Sequence, residues 1–308
     1  VWGSSLPVLG PFSLSGDLTG TLDSLALTGL VGQLGRESLR GQGKYAGGGP
    51  VPVFDLDLQW AQLDLARWHS GPTKPSDEGD RDQASVAPFR LEPAQLAWLS
   101  KTKGHVALDV GQLTLSEEWV AQELSVGFDW SGGVLRGPTL EMHWPEGKLS
   151  LRGELDAREP SPALALGFAG KGFPLGTFVR WAGYPNLGTG SVDATLSLAG
   201  RGSDLPALEK SLSGGLLVEI GQGKVSARYA DAVALSLHIK PDVGDVPMNC
   251  LIAAPRVEKG IARTDALLWD TPDKQVRGMG FVNLPERSLD ILFRPHLKQT
   301  LATGITAA

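Results

Sequence analysis

The residues of this chain with the reactivity for catalysis or metal binding are five histidines, one cysteine and a few paired carboxylates. His69, His105, His143, His238 and His296 are scattered, and no two share the spacing that turns two imidazoles toward one metal. Cys250 stands alone, which removes an intrachain disulfide and a thiolate zinc site and leaves the side chain as a small apolar filler. Asp55 and Asp57, two apart in "VFDLDLQW", project from the same side of a strand. Such a pair can hold a cation or do acid–base work, and it equally describes a solvated strand face. Glu117 with Glu118 and the acidic residues Asp77 to Asp82 are the other clusters, and the latter do not follow the pattern of a calcium loop. "GKGFPLG", Gly170 to Gly176, lacks the Lys-Ser/Thr of a phosphate loop, and no G-x-S-x-G elbow occurs. The reading is therefore of no catalytic residue, no metal and no cofactor. Trp60, Trp98, Trp119, Trp130, Trp144 and Trp181 leave three options open: a carbohydrate platform, core packing, or a membrane-facing rim.

The elements that must position these residues are strands. In "GKLSLRGELDA", Leu149, Leu151, Leu155 and Ala157 fall on one parity, and Ser150, Arg152, Glu154 and Asp156 on the other. That period of two gives one apolar and one wet face. The same alternation places Leu56, Leu58 and Trp60 together, then Val106, Leu108 and Val110. It recurs at Val192, Ala194, Leu196 and Leu198, at Val233, Leu235, Leu237 and Ile239, and at Leu289, Ile291 and Phe293. Gly, Pro or Asp punctuates the gaps, so the expected fold is mainly β and antiparallel.

Helical signals are few. "GSDLPALEKSLSG" has Ser203 or Asp204 as cap, Pro206 in the first turn, Leu205, Leu208 and Leu212 on one face and Gly214 as stop. "PLGTFVRWAGYP" from Pro174 is a second candidate, and "AQLDLARW" fits helix or strand. The polar stretch from Ser70 to Pro88 reads as an exposed loop inserted in the β pattern. The expected organisation is hairpins over 1–69, that loop over 70–88, and a further β region over 89–308, one sheet running through both. A loose internal echo supports a repeated hairpin plan. "SLRG" opens a strand at Ser38 and again at Ser150, each followed by a Pro-containing turn and a second strand.

Length and charge narrow the class. The chain has 308 residues, enough for one large or two ordinary domains. Its 28 basic and 34 acidic side chains give a net charge of -6, so it lacks the basic surplus that phosphate neutralisation requires and no nucleic-acid partner is expected. No apolar run reaches the roughly 18 residues of a membrane helix. The first residue is Val, so a membrane anchor or targeting signal is expected outside this segment.

The order of segments from "FRLEPAQLAWL" to "GKLSLRGELDA" resembles the AsmA-like proteins of Gram-negative envelopes. So does "GSVDATLSLAGRGSDLPALEKSLSGGLLVEIGQGKVSA", a strand, a short helix and a second strand. "MNCLIAAPRVEKGIARTDALLWDTPDKQVRGMGFVNLPERSLDILFRP" is similar to the family's C-terminal signature. It has a strand around Cys250, a turn at Val257 to Ile261, Thr271–Pro272, Gly278 and Gly280, and an acidic turn at Glu286. The chain departs from the family pattern after Pro295, where His296 and Leu297 precede Lys298.

That resemblance implies a long, strongly curved sheet with an open apolar groove, carrying lipid acyl chains across the periplasm between inner and outer membrane without catalysis. It implies tethering to the inner membrane and a role in outer-membrane biogenesis. The groove-lining candidates it assigns are Leu56, Leu58, Val106, Leu108, Val110, Leu149, Leu151, Leu155, Val192, Leu196, Leu198, Val233, Leu235, Leu237, Leu289, Ile291 and Phe293. Two alternatives stay open: a β module that docks an outer-membrane assembly component by strand addition, and a carbohydrate-binding all-β protein.

Overall fold

The structure is a computed structural model that describes residues 12–35, 37–64, 91–116, 119–176, 188–227 and 244–298. In chain order the elements are β1 (Phe12–Thr21), β2 (Ser24–Leu34), β3 (Glu37–Ala46), β4 (Val53–Asp64), α1 (Pro93–Lys101), β5 (Lys103–Ser116) and β6 (Trp119–Ser131). There follow β7 (Val134–Trp144), β8 (Gly147–Asp156), β9 (Ala163–Pro174), β10 (Gly188–Thr189), β11 (Ser191–Arg201), α2 (Leu205–Ser211), β12 (Ser213–Ile220) and β13 (Gly223–Val225). The chain closes with β14 (Val246–Met248), β15 (Cys250–Ala253), β16 (Arg256–Glu258), β17 (Ile261–Asp270), β18 (Lys274–Asn283) and β19 (Ser288–Leu297). Among the described residues strands make up 73% and both helices are short, so the mainly β expectation holds.

Two compact units divide these elements: residues 1–168 with 198–212, and residues 169–197 with 213–308. β9 and β11 each contribute residues to both. In the first unit the strand order is β1-β2-β3-β4-β5-β6-β7-β8-β9. From β1 to β8 neighbours are antiparallel except β4 and β5, which run parallel, Val53 beside Lys103 through Asp64 beside Thr114. The sheet is therefore mixed, a correction to the purely antiparallel expectation. The physical cause is connectivity. A parallel neighbour needs a crossover connection, and α1 is the described part of the one between β4 and β5.

The turn chemistry is legible at β6–β7. Ser131 pairs with Val134, and the two residues between them, Gly132 and Gly133, have φ of 58° and 83°. Two consecutive positive φ values match the twist of the hairpin and suit glycine. Register shifts interrupt the pairings of β1–β2, β2–β3, β5–β6, β6–β7 and β7–β8. Each such bulge bends its strand and increases local twist.

In the second unit the order is β11-β12-β15-β17-β18-β19, with β16 pairing both β12 and β17, beside a small sheet β10-β13-β14. Val246 and Met248 of the small sheet and Phe173 of β9 are buried. The end of β19 is tied down by Lys298, whose Nζ donates to the Asp270 carboxylate at 2.9 Å and to the Thr271 carbonyl at 2.6 Å. Asn249 Nδ2 donates to the same carboxylate at 2.8 Å. These donors, Lys298 first, hold the Asp270 carboxyl below its usual range.

α2 forms where the sequence predicts a helix. Asp204 is the cap, its Oδ1 accepting from Ala207 N at 2.9 Å, and Pro206 stands in the first turn. The helix stops at Ser211, short of the expected Gly214, because β12 begins at Ser213. α1 is not among the helices expected from the sequence, although Pro93 at its start, Leu96 and Leu99 one turn apart and Lys101 in its last turn are helix signals. The ambiguous "AQLDLARW" is strand as far as Asp64. Both "SLRG" stretches lie in strands, β3 and β8, each followed by a neighbouring strand. The 70–88 loop and nearly all of the helix candidate from Pro174 lie outside the described residues.

Candidate functional site

Strand register in the first unit turns the alternation into rows that cross the strands. One row runs Leu27, Gly43, Leu56, Val106, Phe128. The next runs Leu30, Gly41, Leu58, Leu108, Val126, Leu140, Leu151. A third runs Leu39, Trp60, Val110, Leu124, and Met142 faces Leu149 in the neighbouring hairpin. Leu135 and Leu155 pair beside Trp130. Seven strands thus share one continuous apolar face.

The opposite face is polar by the same register. Lys44, Asp55, His105, Asp129, Arg136 and Glu154 form one row, with Arg40, Gln59, Asp109, Ser125, Glu141 and Ser150 in another. Its neighbours are partnered. His105 Nδ1 lies 2.8 Å from Asp129 Oδ1, the Ser125 hydroxyl donates to Asp109 at 2.6 Å, and Gln42 donates to Asp57 at 3.1 Å. Asp55 and Asp57 therefore lie in a ladder of cross-strand polar partners. No group of three or more metal-ligating side chains gathers among the described residues.

The hydrogen bond that the Asp129 carboxylate accepts is the largest influence and holds the His105 imidazole above its ordinary value; burial opposes it, and the nearby charges of Asp129, Asp55 and Asp57 add to it. A raised folded pKa means the protonated pair adds stability below the unfolded value of 6.5, and that contribution disappears as pH rises through the folded value. Both groups are exposed, so the stability effect is small. The expected result is that Asp129→Asn moves the His105 titration midpoint down toward its ordinary value, read from imidazole proton shifts in an NMR titration.

The apolar face is unevenly covered. Leu63, Val110, Leu113, Ala121, Leu124, Met142 and Trp144 are buried, Val110 at 1% exposure. The middle rows are only half-buried: Leu56, Leu58, Val106, Leu108, Val126, Leu140, Leu149, Leu151 and Leu155. The described strands of the first unit all belong to one sheet, and these rows stay half-buried, so no close-packed second sheet covers them. A β-sandwich would cover such a face with another layer.

At one end of the strands the face is roofed. Lys103 N donates to the Pro52 carbonyl at 2.9 Å and Gly133 N to the Leu99 carbonyl at 3.1 Å, which fixes α1 over the starts of β4, β5 and β7. Trp98 of α1 packs with its ring centre 5.1 Å from that of Trp130, and Phe54 lies 6.4 Å from each of these rings and 5.1 Å from Tyr45. Trp130 Nε1 donates to the Thr102 hydroxyl at 2.9 Å, and that hydroxyl donates to the Trp98 carbonyl at 2.9 Å. The four rings enclose part of a cavity of about 360 Å³, whose floor includes Leu27, Gly43, Leu56 and Val106. The groove candidates expected from the sequence include Leu56 and Val106 but none of the rings. Tyr45, Phe54, Trp98 and Trp130 come from four separate elements, and only the two tryptophans stand out in the sequence.

Leu198, another of the expected groove residues, is in the first unit; Val192 and Leu196 are in the second, and all three are half-buried. Leu289, Ile291 and Phe293 share a face of β19, in register with Val282, Gly280 and Gly278. Leu289 is 66% exposed and Phe293 38%, since among the described residues β19 ends the strand order with β18 as its neighbour. Val233, Leu235 and Leu237 lie outside the described residues, as do His69, His238 and Trp181. Cys250 opens β15 and is half-buried rather than an enclosed filler, because it sits at a strand end facing Asp270 across the pair. Trp130 and Trp144 are buried, which assigns them to packing.

No helix among the described residues is long and apolar enough to cross a membrane. With curated proteins and with solved structures the comparisons find no match. A family model described as the AsmA family matches residues 10–267, most of the chain and all of the first unit's sheet from β1 to β9. A match of that extent means that the chain belongs to the AsmA family, an envelope-related family.

Proposed function

We propose that this chain carries lipid acyl chains along its apolar sheet face, without catalysis, in the periplasm between the two membranes of a Gram-negative envelope. The observation that supports the reading is the middle of the first unit's apolar face, where rows of Leu and Val on a single sheet lie only half-buried. A sheet face of this kind satisfies its backbone by strand pairing and leaves its side chains to a hydrocarbon guest. Each methylene buried there contributes about 0.8 kcal/mol, so a long tail has enough area to bind. Family membership supports the envelope as the setting. The test is organic extraction of the purified chain followed by mass spectrometry. Stoichiometric acyl lipid is expected, and lipid-free protein that also takes up none from vesicles would remove the reading.

A second reading has one specific observation in its favour. Leu289, Leu292, Phe293 and Leu297 of β19 are all exposed at a strand with one neighbour. Such an edge is a site for strand addition by an envelope partner.

A further inference from the structure

The cavity beneath α1 differs from the rest of the apolar face in being roofed, and its lining chemistry specifies what fits. Strands β1 to β6 supply floor and walls, and Trp98 closes it from above. Trp98 nevertheless keeps 46% of its surface exposed, although it packs on Phe54 and Trp130. The Trp130 N–H is already committed to Thr102, so its ring offers carbon surface only. Lys44 and Asp55 border the cavity but belong by register to the polar-face row, on the other side of the sheet from Gly43, Leu56 and Val106. The side chains that the apolar face and α1 turn toward the cavity are thus uncharged, with no cation for a phosphate or carboxylate. Beyond its Leu27–Gly43–Leu56–Val106 floor the apolar face continues into the Leu30–Gly41–Leu58–Leu108 row.

We propose that this aromatic cavity is an end-seat for one phospholipid acyl chain, taking its methyl terminus under Trp98 while the middle rows carry the rest of the tail. The proposal rests on the lipid reading above and adds a direction to it: the headgroup lies away from α1. A neutral, carbon-lined cavity excludes the charged end of a lipid, since burying an unpaired charge there is costly. It accepts the apolar end at no such cost.

Gly43 supplies the means of closing the cavity. A Cβ at that position meets Leu56 Cδ1 and the Asp55 carbonyl at 3.4 Å, so the floor accepts a side chain that then projects into the space. Full-length protein is loaded from vesicles containing a phospholipid whose palmitoyl chain bears a diazirine, either at the methyl end or beside the ester, then irradiated and mapped by peptide mass spectrometry. The methyl-end probe is expected to label peptides holding Tyr45, Phe54, Trp98 and Trp130 several-fold more than the ester-proximal probe. Gly43→Leu is expected to abolish that enrichment and weaken binding roughly fourfold for each methylene shut out, while adducts around Leu58 and Leu108 persist. Should Gly43→Leu fail to fold, Trp98→Ala removes the roof at a half-exposed position and is expected to erase the same enrichment. Equal labelling by both probes, or adducts on the middle rows with none in the cavity, overturns the end-seat and leaves the lipid reading standing. No adducts anywhere overturns both.

Discussion

Leu151→Asp is expected to leave the chain folded and to strip it of acyl lipid, with co-purified lipid falling at least tenfold. Leu151 sits in the middle of the β8 contribution to the apolar face, in register with Leu140 and half-buried. In the lipid-free protein an aspartate there still reaches water, because the position is only half-buried. The folding cost is then about 1–2 kcal/mol, within the range of ordinary substitutions. Hydrocarbon laid across the same spot removes that water and leaves a carboxylate with no partner, which costs several kcal/mol more. The difference between the two states is what makes the substitution selective for cargo over fold. Arg152→Asp is the matched control. Arg152 is the next residue along, exposed on the polar face, with Glu141 at 3.9 Å as its ion-pair neighbour. Its loss changes charge by more than the Leu151 variant does, yet lipid content is expected to stay at the parental level. Circular dichroism establishes folding in both variants, and mass spectrometry of extracts gives lipid per protein. Parental lipid in a folded Leu151→Asp protein would show that the apolar face is not where the cargo lies.

Period-two alternation made the strands readable because each strand here has one wet and one apolar side, and the sign of the side chain follows directly from its parity. Leu149, Leu151 and Leu155 against Arg152 and Glu154 in β8 are the plainest case. What alternation cannot carry is pairing. Nothing in "VFDLDLQW" or "GHVALDV" states that these strands lie side by side and parallel, since that depends on a crossover of which α1 is the described part. Nor does parity survive a bulge. Between Leu27 and Leu30 the β2–β3 register shifts, so counting by twos from Leu27 puts Leu30 on the wrong side, whereas both belong to apolar rows. The aromatic cavity was illegible for a related reason. Tyr45, Phe54, Trp98 and Trp130 sit in β3, β4, α1 and β6, and the sheet order alone brings them together. Families of side chains that meet through register leave no local spacing for a sequence motif to record.

Trp130→Ala is expected to cost the first unit about 3–5 kcal/mol, the range for deleting a buried Trp, and Gly104→Ala to reproduce much of that loss from the other side of one contact. Gly104 and Trp130 are cross-strand partners, and the indole lies over the glycine. A Cβ at Gly104 would fall 2.3 Å from Trp130 Cζ2, 2.4 Å from Cη2 and 2.8 Å from the Phe54 carbonyl oxygen. Backbone cannot yield on the Phe54 side, so the ring must move. Moving it breaks the 2.9 Å hydrogen bond to Thr102 and the packing against Trp98 and Phe54. Overpacking costs about 1–3 kcal/mol, and the stranded indole N–H adds roughly 1–3 kcal/mol. Once Trp130 is an alanine the ring clash is gone and the 2.8 Å approach to the Phe54 carbonyl remains, so Gly104→Ala is expected to cost the double variant clearly less than it costs the parent. Urea titration followed by near-ultraviolet circular dichroism gives the three free energies, and a coupling of about 2 kcal/mol or more is the expected outcome for residues in direct contact. Additive losses would mean that the glycine and the indole act separately. The roof of α1 over the cavity would then have to be held by something other than this stack, because Trp130 is the ring that ties Trp98 to the sheet through Thr102.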